Sequence, residues 1–195
     1  MKLQSFSKTI GFALLLTLVG ASATNRKASP ELASIDRKIA RLEANGRAAH
    51  PDVAPTVLTE AEINAYLASD EIQMPAGVQT VKLSGTPGAV SGTARIDFDQ
   101  VRAGTHSSNP LLSIFSGIHE VAVETHAYGR GGQGYVHVDS VSLDGIEVPT
   151  FVLELFVEKY LTPRYPQIGM DSRFTLPDRI DTAVVGQHQV TLVQK

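Results

Sequence analysis

The chain reads as an α+β protein, a curved antiparallel β-sheet wrapped on two amphipathic helices with an extra N-terminal helix. Three observations predict this. From Val78 onward apolar and polar positions alternate, as in Gly92, Ala94, Ile96 and Phe98 against Thr93, Arg95, Asp97 and Asp99, the period of a half-buried strand. Glycine-rich turn signals join such runs in pairs, which favours antiparallel hairpins. Two segments, after Thr59 and after Thr150, follow helical spacing instead.

At the start of the chain Lys2 and Lys8 precede the apolar run Ile10–Val19, which ends in Gly20 and Ala21-Ser22-Ala23. A basic flank, a short apolar core and a small-x-small triplet predict a secretory signal cleaved after Ala23. The run is short of the roughly 20 residues that span a bilayer, which disfavours an uncleaved anchor. The chain has no cysteine, which excludes a lipoprotein anchor and any disulfide. The expected organisation is a signal peptide over 1–23, a helix and linker over 24–55, and a single α+β domain over 56–195. The expected location is periplasmic or extracellular.

A chain with 43% hydrophobic and 19% charged residues can bury a core. Its net charge of −3, with no run of Lys or Arg, argues against a nucleic-acid partner and against a membrane surface held by charge alone.

Ser29-Pro30 predicts a helix start, with Leu32, Ile35, Ile39 and Leu42 on one narrow stripe and an end near Asn45-Gly46. Such a stripe suits either a core helix or a stalk that binds another envelope protein. The prolines of Ala48–Pro55 predict a linker. Thr59-Glu60-Ala61-Glu62 is a capping box, and Leu58 is placed to staple onto Ile63. A helix therefore runs from Glu60 to about Ser69 with Ile63, Tyr66 and Leu67 facing the core. Strands follow at Val78–Leu83, Ala89–Asp99, Glu120–Tyr128 and Tyr135–Leu143.

Between the second and third of these strands, Asn109 can cap and Pro110 can start one helical turn carrying Leu111, Leu112, Ile114 and Phe115. That turn is a lid over a groove mouth, a wedge making transient membrane contact, or a plug filling one end of the sheet. After Asp144-Gly145 and Pro149, a helix over Thr150–Leu161 is expected to turn Phe151, Leu155 and Val152 inward. Strands near Ser172–Leu176, Ile180–Val185 and His188–Val193 close the chain.

The segment Leu58-Thr-Glu-Ala-Glu-Ile-Asn-Ala-Tyr-Leu67, the long alternating strands, and Val141-Ser-Leu-Asp-Gly-Ile-Glu-Val-Pro149 leading into an apolar helix resemble bacterial envelope proteins of the tubular lipid-binding (TULIP) superfamily. The groups concerned are YceB, YpmS and domains related to the mycobacterial mannan-elongation envelope protein. The resemblance implies a helix wrapped by a sheet around an apolar groove able to take an acyl chain, with no catalytic residues to carry over and no cofactor. On physical grounds the sheet's apolar face needs a cover, and Ile63, Tyr66, Leu67, Phe151 and Leu155 can supply it. If the helices seat fully the interior is a closed core; if they stand off, it is a tunnel.

Two motifs remain. Gly129-Arg-Gly-Gly-Gln-Gly134 spells the dinucleotide-binding glycine pattern, yet strand residues Tyr135-Val-His-Val138 follow where a helix is required, so it reads as a hairpin turn. That hairpin sets His126 opposite His137 and Glu124 opposite Asp139, a candidate metal site on one face. The simpler reading is a wet face, since Val121, Val123, Val136 and Val138 occupy the other. No nucleophile elbow and no His-Glu-x-x-His is present, so a non-catalytic binder of lipid or another apolar ligand is the leading expectation. An assembly module for an envelope protein comes second and a metal-dependent hydrolase third.

Overall fold

The computed structural model describes residues 29–103 and 109–195. The expected signal peptide and His106 lie outside them. The fold is α+β, with one large open antiparallel sheet of nine strands among the described residues. No helix there is long and apolar enough to cross a membrane.

The helices are α1 (Pro30–Gly46), α2 (Glu60–Leu67), the single turn α3 (Phe98–Val101) and α4 (Thr150–Phe156). The strands are β1 (Thr56–Thr59), β2 (Val78–Thr86), β3 (Ala89–Asp97), β4 (Ile118–Arg130), β5 (Gln133–Leu143), β6 (Ile146–Glu147), β7 (Asp171–Thr175), β8 (Ile180–Gly186) and β9 (Gln189–Gln194).

Strand β4 organises the sheet. One of its edges pairs with β5 over nearly its whole length. The other edge is shared: residues 118–126 pair with β3, and Tyr128 and Gly129 pair with β8. Beyond β3 lies β2, and beyond β8 lie β9 and β1. The β4–β5 turn is tighter than six residues, because Gly131 and Gly132 both take positive φ (61° and 75°) and form a two-residue turn. The chain after β7 then wraps this hairpin: Gly132 O accepts from Leu176 N, and Gly132 N donates to Asp181 O. That wrapping needs bare backbone beneath it. A Cβ on Gly129 would sit 2.7 Å from the Ala183 Cβ, and one on Gly134 would sit 2.5 Å from the Phe174 ring.

Two separate apolar clusters hold helices at the two ends of the sheet. In the first, Ile35, Ile39 and Leu42 of α1 and Ile63 and Leu67 of α2 pack with Val185, Val190 and Leu192. Ser29 Oγ caps α1 by accepting from Leu32 N, and Thr59 and Glu62 form the complete capping box of α2. Thus the α1 stripe is buried within the chain's own core. In the second cluster Val152, Leu153 and Phe156 of α4 pack with Phe98, Leu112 and Phe115. This corrects the expected inward face of the Thr150 helix: Phe151 is 56% exposed. Residues 151–153, 155 and 156 are all apolar, so spacing alone could not choose a face. Past Phe156 the helix widens into a π-turn (Val157–Leu161) that keeps Tyr160 on the buried side.

Sequence reading also passed over β1 and β6, whose four and two residues are too short to show a period. It ended β3 two residues late, because Asp97 caps the α3 turn through its side chain and turns Phe98 into the second cluster.

Candidate functional site

Between the two clusters lies a cavity of about 250 Å³. Its floor is the concave face of the sheet, from Val81 and Leu83 on β2, through Gly92, Ala94 and Ile96 on β3, to Val121 and Val123 on β4. Val136, Phe174 and Leu176 form one wall. Leu58 and Leu67 close the end held by α2, and Met74-Pro75 from the α2–β2 connection line the rim.

The space exists for two physical reasons. The helices sit at opposite ends rather than across the middle, so Val81, Ala94, Ile96 and Val136 stay only half-buried on the inner face. And many inward positions carry minimal side chains: Gly92, Ala94, Ala127, Gly134 and Ala183 all border the cavity. Had a void of 250 Å³ been closed and empty, it would have cost about 6 kcal/mol at ~24 cal/mol per Å³. That approaches the whole net stability of a typical domain, ~5–15 kcal/mol, so a packing flaw of this size is a poor account of it.

No charged side chain borders the cavity, and the polar groups that do are engaged or turned out. Thr125 Oγ1 donates to Val90 O at 2.8 Å. The rings of Tyr128 and Tyr135 stack at 4.9 Å, Tyr128 is 56% exposed, and the Tyr135 hydroxyl accepts from Arg173. Thr93 is exposed.

Of the residues expected to form a groove or lid, only Leu67 lines this cavity. Ile63 packs beside it in the first cluster, lining a separate small recess of about 20 Å³. Tyr66 is half-buried there, its hydroxyl pushed up to about 12 first by burial and then by Glu71, Asp36 and Glu43. The Pro110 turn divides: Leu112 and Phe115 are buried as a plug in the second cluster, where Phe115 stacks 4.1 Å from Phe156, while Leu111 and Ile114 face solvent. Leu155 packs partly against that cluster and Phe151 points outward. The residues that do line the cavity are mostly strand residues of the sheet. The signal that could have found them is the run of small residues at inward positions.

The proposed metal ligands do not converge. His126 pairs with His137 in the expected register, but a bulge after Glu124 shifts that residue opposite Ser140 instead of Asp139. His126 Nδ1 then meets Asp139 at 2.7 Å, His137 Nδ1 meets Asp171 at 2.7 Å, and Glu124 accepts from Ser91 Oγ at 2.5 Å. The hydrogen bond to Asp171 holds His137 above its ordinary value. These are separate surface pairs, and among the described residues no three His, Asp or Glu side chains are gathered as a metal would require. His119 and His188 likewise each hold one carboxylate, Asp144 and Glu60.

Comparison with protein-family models, with characterised proteins and with solved structures finds no match for this chain.

Proposed function

We propose that this chain is a non-catalytic binder of lipid or another apolar small molecule, held in the cavity between the two helix-bearing ends of the sheet. The observation that carries the reading is a 250 Å³ cavity bordered by no charged residue and opening past half-buried valine, alanine and isoleucine side chains. Ligand sites are concave and mostly apolar, and a cavity of this kind takes its affinity from the apolar surface it removes from water. A sheet curving about its helices around a ligand, in an exported protein, is the arrangement this function would use. The alternative, an assembly module working through the Leu32–Leu42 stripe, is less well supported because Ile35, Ile39 and Leu42 are occupied inside the chain's own core.

The deciding experiment is a native mass spectrum of the protein purified without detergent, followed by organic extraction. An apolar mass that travels with the protein, and is lost in Ala94→Phe while the circular dichroism spectrum stays unchanged, is the expected result. A bare polypeptide mass that also shows no uptake of added lipid would remove the reading.

A further inference from the structure

The cavity's size and lining narrow the ligand class further, resting on the apolar-ligand reading. We infer that it takes the alkyl chain of a single-chain amphiphile, tail first, and leaves the polar head in solvent.

The lining sets the orientation. Thr125 is satisfied within the protein by the Val90 carbonyl, Tyr135 by Arg173, and no Lys, Arg or His side chain reaches the interior. A carboxylate, phosphate or hydroxyl drawn inside would meet no partner, and burying such a group unpaired is strongly unfavourable. A sterol or other ligand recognised by an internal hydrogen bond is disfavoured for the same reason.

The volume sets the number of chains. A void of about 150 Å³ takes up benzene, so by proportion 250 Å³ holds on the order of ten carbons. Two acyl chains of ordinary length exceed that space several-fold. The half-buried side chains of Val81, Ala94, Ile96 and Val136 line the side by which one chain can enter.

The test is calorimetric titration of the full chain with saturated fatty acids of roughly six to sixteen carbons and with the matching primary alcohols, all below their aggregation limits. Each buried methylene should tighten binding about fourfold, until affinity levels off near ten carbons. Acid and alcohol of equal length should agree within about threefold. Ala94→Leu, and Val136→Leu as an independent variant, should move the plateau to shorter chains. Affinity that climbs steadily through sixteen carbons, or a tenfold preference for acid over alcohol, would overturn the single-chain, head-out assignment while leaving an apolar site standing. If a short-chain diacyl phosphatidylcholine binds and no single-chain compound does, the assignment fails on chain number. No binding by any of these compounds, with Ala94→Leu indistinguishable from the parent, removes both this inference and the reading beneath it.

Discussion

Glu62 shows how one side chain can do two structural jobs. It completes the α2 capping box and also receives the Lys38 ammonium from α1 at 2.6 Å, with its own side chain only 7% exposed. Burial pushes its carboxyl up, but the Lys38 hydrogen bonds, with help from Ser34 and Thr59, outweigh burial and hold it down at about 2. A depressed folded-state value means the stabilisation is fully present above the ordinary 4.5 and is lost as pH falls through about 2. At ~1.4 kcal/mol per unit this amounts to about 3 kcal/mol. Denaturant titrations at pH 7 and pH 3 should therefore show Glu62→Gln losing about 3 kcal/mol at pH 7 and much less at pH 3. Equal losses at both values would mean that the Lys38 pairing is not the source. A second residue-scale test is Gly129→Ala. The added methyl would meet the Ala183 backbone N at 2.8 Å and Leu176 Cδ1 at 2.9 Å, so a loss of ~1–3 kcal/mol from overpacking is expected in equilibrium unfolding. A neutral result would show that the β7–β8 chain gives way easily.

Among the elements, α4 and the Pro110 turn make the sharpest contrast. Phe115 is 1% exposed and packs against Phe98 and Phe156, whereas Phe151 is 56% exposed. Phe115→Ala should cost ~3–5 kcal/mol in thermal or chemical unfolding and Phe151→Ala less than ~0.5 kcal/mol. Comparable costs would mean that Phe151 packs in solution. These two residues also show where sequence reading succeeds and fails. The α2 capping box, the start of α1 and the long alternating hairpins were legible because each is written in local spacing or turn chemistry. Which face of α4 turns inward was not, since apolar residues surround that helix and only its partners choose. The bulge after Glu124 was illegible for a related reason: it changes pairing without leaving a residue signature, and it separates Glu124 from Asp139. The cavity itself escaped because attention went to large apolar side chains, while the space is made by small ones such as Gly92 and Ala94.

For the molecule as a whole, an unfilled cavity between two clusters means that stability should depend on what fills it. A ligand at a hundred times its dissociation constant adds about 2.7 kcal/mol, so saturating decanoate should raise the melting temperature by several degrees in differential scanning fluorimetry. No shift in the parent, or an equal shift in Ala94→Phe, would count against occupancy of this site. The sheet has one further property at this scale, in the pairing of its first strand with its last. Thr56–Thr59 lies along Gln189–Leu192, and Gln194 reaches back to the Leu42 carbonyl and the Asn45 amide of α1. Both N-terminal helices thus rest on the strand that is synthesised last. While the chain is still being made, the α1 stripe and Leu58 have no platform to cover them, so folding is a post-synthetic event that exposed apolar surface must survive. A nascent chain arrested before Gln189 should be open to protease from α1 through α2, and one released past Gln194 should be closed.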